Sequence, residues 1–149
     1  MNLGTSALAL LLEAWAAETL GINTYEHQPT VLSEALPLVI CEIQTDRAAP
    51  REDQLEGFGA FEQTYIRARV AQLMLMVTPE PSWTATQSLY GYVDNLAESI
   101  GKDPTLGGRV PKTSRFFEAS YTPPEVQHAD GTVARAATFQ MLVGETKGA

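Results

Sequence analysis

The sequence predicts an α+β domain, an antiparallel or mixed four-stranded sheet with helices packed on one face. Two segments, one opening at Thr5 or Ser6 and one at Thr84, repeat apolar residues at helical spacing. Four others, Leu38–Gln44, Tyr65–Thr78, Ser114–Tyr121 and Thr132–Val143, alternate apolar with polar or run apolar, as strands do. Their order is helix, strand, long loop, strand, helix, strand, strand, and a sheet covered by helices is its most economical packing.

The first helix is capped by Thr5 or Ser6 and carries Leu8, Leu11, Leu12, Trp15 and Ala16 on one face before ending near Leu20-Gly21. Gly21 to Pro37 is irregular, with a short extended piece at Ile22–Tyr25. Leu38–Gln44 follows as a strand with Val39, Cys41 and Ile43 on one face and Glu42 and Gln44 on the other. Thr45–Gln63 is a long protruding connection, and connections of that length in a compact domain are usually functional or disordered. Its Phe58 and Phe61 stand beside Gly57 and Gly59, either as contact residues for a partner or folded back onto the domain. Arg47 and Arg51 lie among its acidic groups.

In the strand from Tyr65, Arg67 and Arg69 share a face, and the Leu73–Val77 run implies burial on both faces. Thr84 and Gln87 have the spacing of a capping box, Leu89, Tyr92, Val93, Leu96 and Ile100 form a stripe, and Gly101 ends the helix. Asp103-Pro104 then opens a short turn closed by Gly107-Gly108. The last two strands form a hairpin with an irregular tip, because Pro123-Pro124 breaks the first and Asp130-Gly131 signals a tight turn. Glu145–Ala149 is expected to fray.

A chain of 149 residues, 44% hydrophobic and 19% charged, has the material for one core, so a single domain over residues 1–149 is expected. A net charge of −8 argues against gripping nucleic acid through its phosphates. The apolar run Ala7–Leu12 lacks the basic flank of an export signal, and no run approaches a membrane span, so a soluble protein is expected.

The residues display no catalytic constellation. His27 and His128 stand in polar surroundings outside any metal-ligand pattern, and Cys41 sits in an apolar run where burial opposes the thiolate. Glu42, Asp46, Glu52, Asp53 and Glu56 make an acid-rich region, but Arg47 and Arg51 among them suit a solvated or partner-facing loop better than a cation site. Gly107-Gly108 matches neither phosphate-binding glycine pattern. No cofactor and no metal is expected.

The stretch Asp103-Pro104-Thr105-Leu106-Gly107-Gly108-Arg109-Val110, after an amphipathic helix and before two C-terminal strands ending in Phe139-Gln140-Met141-Leu142-Val143, resembles the tail terminator proteins of long-tailed bacteriophages. The similarity extends loosely over most of the chain. It implies a non-enzymatic virion protein at the tail–neck junction, assembled in the host cytoplasm. Such a protein forms a hexameric ring on the head-proximal end of the tail tube, ends tube polymerisation and provides the surface on which the head docks. The implied partners are further copies of the chain, the major tail tube protein and a head–tail connector or neck protein, with DNA passing through the lumen without specific binding and no membrane involved. Candidate contact residues are Arg47, Arg51, Phe58, Phe61, Arg67 and Arg69, together with Glu125 and His128 in the Pro123–Thr132 loop; Arg67 and Arg69 either pair with acidic groups of a neighbouring subunit or form a surface ion pair within the chain. Two other readings stand beside it: another neck or head-completion protein, and a small cytoplasmic α+β enzyme or ligand-binding protein with a pocket near Trp83, Tyr90 and Tyr92.

Overall fold

A computed structural model describes residues 4–24, 35–50, 65–121, 125–127 and 133–147. Among the described residues the fold is mixed α+β, with two helices and a curled sheet: α1 (Thr5–Leu20), β1 (Asn23–Thr24), β2 (Leu38–Pro50), β3 (Tyr65–Val77), α2 (Ser82–Lys102), β4 (Lys112–Ser120), β5 (Glu125–Gln127) and β6 (Val133–Lys147). The strand order is β1-β2-β3-β6-β4, with β5 also on β6. β1 lies parallel to β2, and every other pair is antiparallel.

Among the described residues the sheet therefore has six strands rather than the four expected. The additional ones, β1 and β5, have two and three residues, too few for an alternating pattern to register. β2 also outruns its expected end. Thr45–Pro50 are strand, paired with Val70–Tyr65 of β3, and the rest of the expected connection lies outside the described residues. The C-terminus is ordered further than expected as well: β6 pairs with β3 as far as Lys147, and Glu145 is buried.

The alternation read from the sequence organises the interior. Val39, Ala71, Leu73, Leu75, Val77, Ala137, Phe139, Met141 and Val143 join one buried cluster with residues of both helices, among them Leu8, Leu12, Trp15, Leu89, Val93, Leu96 and Ile100. The intervening residues Leu38, Met76, Ala134 and Ala136 form a second, smaller cluster. Leu73–Val77 is thus apolar throughout because both of its faces are used.

The α2 boundaries shift from expectation. The helix begins at Ser82, with Pro81 as its cap residue and no side-chain cap bond, so Thr84 lies inside the first turn and the capping box is not formed. Gly101 stays helical, and the helix continues to Lys102, which pairs with Glu98 one turn back at 2.8 Å. The left-handed residues come later, at Leu106, Gly107 and Gly108 with φ of 54°, 75° and 83°. Asp103 organises that turn. Its Oδ1 accepts from the Thr105 amide at 3.0 Å and the Thr105 hydroxyl at 2.7 Å, and its Oδ2 accepts from the Gly107 amide at 2.8 Å. These bonds hold the Asp103 carboxyl below its ordinary value, the Thr105 hydroxyl contributing most. The turn is tied to β4, because the Thr113 amide and hydroxyl both donate to the Pro104 carbonyl, at 2.8 and 2.7 Å.

α1 starts at Thr5 behind Gly4, again without a side-chain cap, and ends as expected at Gly21 in the left-handed conformation. Its Glu13 is buried and accepts the Cys41 amide at 3.1 Å, so a helix side chain satisfies a β2 backbone donor beyond the short β1 pairing.

Candidate functional site

Three surfaces concentrate the polar and exposed apolar groups. The first is the end of the sheet where β2, β3 and β6 run past the start of α1. A bulge decides its chemistry. Between Ile43 and Thr45 the β2 register advances by one residue relative to β3, which exchanges the two faces of β2 beyond that point. Asp46, even-numbered, consequently shares a face with Arg67 and Arg69, whereas without the extra residue it would point away from them.

Arg67 holds Asp46 bidentately, Nε to Oδ1 at 2.8 Å and Nη2 to Oδ2, and Nη2 also donates to the Thr5 hydroxyl at 3.1 Å. The Arg67 guanidinium pulls the Asp46 carboxyl below its ordinary value. Arg69 is fully buried, and its Nη2 meets Glu145 Oε2 at 2.8 Å, both side chains being essentially without exposure. The expectation that both arginines are displayed for a partner is corrected for Arg69, which is an interior residue. Arg67 is half-buried and engaged within the chain.

The second surface is a groove of about 740 Å³ between α1, α2 and the Leu-Gly-Gly turn. Trp15 and Leu106 form its floor, and Glu18, Glu98, Lys102, Asp103 and Arg109 its walls. The charges are already matched, Arg109 to Glu18 and Lys102 to Glu98. The groove offers no convergent set of reactive groups.

The third surface is the sheet face opposite the larger core cluster. Register aligns Glu42, Gln72, Gln140 and Glu118 in one row across four strands, with Gln140 Nε2 donating to Gln72 Oε1 at 3.0 Å. A second row, Arg47, Ala68, Gly144 and Lys112, lies toward the strand ends. Between them stand Val70 and Leu142, the latter 40% exposed. The centre of this face is uncharged, and its charges stand at the two outer strands. Strand periodicity shows that these residues share a face, but the rows depend on register, which no local signal carried.

Of the other sequence candidates, Arg47 is exposed on β2, and Glu125 is placed on β5 opposite Arg135. Arg51, Phe58, Phe61 and His128 lie outside the described residues, as do His27, Glu52, Asp53 and Glu56. Among the described residues no group of three His, Cys, Asp or Glu is placed to hold a metal ion. Burial and the neighbouring Glu13 and Glu42 carboxylates push the Cys41 thiol up to about 12, so it is protonated at neutral pH. No helix among the described residues is long and apolar enough to cross a membrane.

The aromatic residues proposed to line a ligand pocket go separate ways. Trp83 projects from the first turn of α2, 67% exposed, Tyr90 meets Tyr121 edge-on at 4.9 Å, and Tyr92 lines a cavity of about 200 Å³ with Pro37 and Val77. Sequence reasoning missed the exposure of Phe117, which stacks on Phe139 at 4.9 Å and is 43% exposed at the β4 edge. No family model matches the chain, and neither does any curated protein.

Proposed function

We propose that the chain is a non-enzymatic structural subunit of a closed ring, the terminator at the head-proximal end of a long-tailed bacteriophage tail. The observation that carries this reading is the pair of unlike flanks. On one side lie β4 and the exposed rings of Phe117 and Tyr90; on the other lie β2 and α1, whose Leu10 is exposed. A ring needs two different patches per subunit, used head to tail. The resemblance carried by Asp103–Val110 supplies the setting in a phage tail.

In this reading the four long strands form the wall of the ring, with α1 and α2 as its outer layer and the face opposite the larger core cluster toward the lumen. The centre of that face, Gln72, Gln140, Val70 and Leu142, gives DNA phosphates nothing cationic to grip. The ring ends tube polymerisation by occupying the last tube protein, and it presents its other rim to the connector or neck protein. The virion is therefore its location and the host cytoplasm its place of assembly.

Quantitative mass spectrometry of purified particles tests the reading. About six copies per particle, against many of the major tube protein, is the result expected of a single hexameric ring; absence from the particle overturns it. Particles made without the protein separate a terminator from another neck component. Tubes of uncontrolled length identify a terminator, and headless tails of normal length identify a neck protein.

A further inference from the structure

Resting on the ring reading, we propose that neighbouring copies join edge to edge, β4 of one along β2 of the next. The two are staggered by four residues, so that Glu118 of one copy lies beside Arg47 of the next.

Among the described residues no further strand lies outside β4, and none lies outside β2 from Ile43 to Pro50, because β1 reaches only Val39. Such edges are templates for pairing. Their directions fit. The strands β2, β3, β6 and β4 alternate, so the two outer ones run in opposite senses. Rotation about an axis along the strands preserves each copy's sense, so β4 meets the next β2 antiparallel. The even number of long strands makes this hold at every junction of the ring.

Charge selects the register. Level with one another, the copies would set Glu118 beside Glu42 and Lys112 beside Arg47, like against like in both rows. The rows are separated by the step from Gln72 to Ala68 on β3, four residues or roughly 13 Å. A stagger of that size places Glu118 beside Arg47 and lays β4 along the open stretch of β2. The opposite stagger would set Lys112 beside Glu42 but bring β4 onto Leu38–Cys41, whose outer side is already taken by β1 and Glu13. Stagger is also what closing sheets into a ring requires.

The test uses the full chain, with light scattering after size exclusion and native mass spectrometry. Arg47 and Glu118 are both exposed, so reversing them leaves the core untouched. Arg47→Glu alone and Glu118→Arg alone should each raise the concentration for half-assembly by about tenfold or more, because juxtaposed like charges oppose docking. The double variant should assemble as the wild type does. An equimolar mixture of the two single variants should form rings containing equal numbers of each, since only unlike neighbours present opposite charges. Glu42→Arg should leave assembly within about twofold of wild type, because the stagger carries Glu42 away from the junction. Single variants that assemble normally, a mixture that fails to recover, or a wild-type chain that stays monomeric at every concentration would each overturn the inference. Failure of the phage reading is distinguishable: rings with these charge rules from a protein missing in particles would leave the junction standing.

Discussion

Removing either partner of the Arg69–Glu145 pair should be among the most damaging single changes in the described part of the chain. Both side chains are buried and meet at 2.8 Å on the two longest-paired strands, 76 residues apart in sequence. Arg69→Met leaves a carboxylate inside the protein without the guanidinium, and Glu145→Leu leaves a guanidinium there without the carboxylate. Breaking a buried pair from one side costs about 3–5 kcal/mol. For a domain of this size, with a melting temperature that moves about 2–4 °C per kcal/mol, that is a fall of roughly 6–20 °C. Replacing both at once, Arg69→Met with Glu145→Leu, should return stability to near wild type or above it, since apolar residues of similar volume avoid the desolvation cost. Urea titrations of the four proteins, followed by circular dichroism, measure all of this. Single variants costing less than about 1 kcal/mol, the level of a solvated surface pair, would refute the reasoning by showing that water reaches the site.

Three further outcomes are expected. Gly108→Ala should destabilise by roughly 1–2 kcal/mol, the cost of a left-handed residue bearing a Cβ; because nothing lies within 4 Å of the added atom, urea unfolding should show this with no loss of secondary structure in circular dichroism. Glu13→Ala should cost about 1–3 kcal/mol by depriving the Cys41 amide of its acceptor, and Glu13→Gln much less, because the amide oxygen still accepts; hydrogen exchange at Cys41 reads the difference directly. Alkylation of Cys41 at pH 8 should be far slower in the native protein than in the unfolded chain, because the half-buried thiol keeps its proton. With a folded-state thiol near 12 against an ordinary 9.0, stability is untouched below pH 9 and is lost progressively as pH rises through 9 toward 12, where only the unfolded chain gives up the proton. A thiol that reacts freely at pH 8 in the native protein would contradict this.

What could be read in advance was whatever local periodicity encodes. The Val39, Cys41, Ile43 face, the doubly apolar Leu73–Val77 run, the α2 stripe and the Phe139, Met141, Val143 face are each set by side chains two or three to four positions apart. The misses are of another kind. Thr45–Pro50 looks like loop because its composition is polar, yet its backbone is paired by β3, a partner whose nearest residue is 15 positions away. The bulge before Thr45 leaves no composition signal, and with it went the association of Asp46 with Arg67. Glu145 seemed a fraying end because its partner, Arg69, is invisible from the C-terminus. Helix caps were misread where prolines and tertiary contacts overrode them, as when the Thr5 hydroxyl turned to Arg67 and Asp46. The candidate contact rows depend wholly on register between strands, so among their charged members only Arg47 was read as a contact and Glu42 only as part of an acid-rich region.

The long strands also have a mechanical consequence. β2 and β3 have 13 residues each and β6 has 15, an unbroken span of roughly 40–50 Å at the usual rise. Tension along that axis loads the bonds between β3 and its two neighbours in shear, where all of them must yield together. β4 is held differently. It pairs with β6 only at Lys112–Thr113 and Phe117–Ser120, so a pull across the sheet meets short paired stretches that open one after another, like the teeth of a zip. The subunit is therefore stiff along its strands and compliant across one edge: it can transmit an axial load while that edge adjusts to whatever it is fitted against.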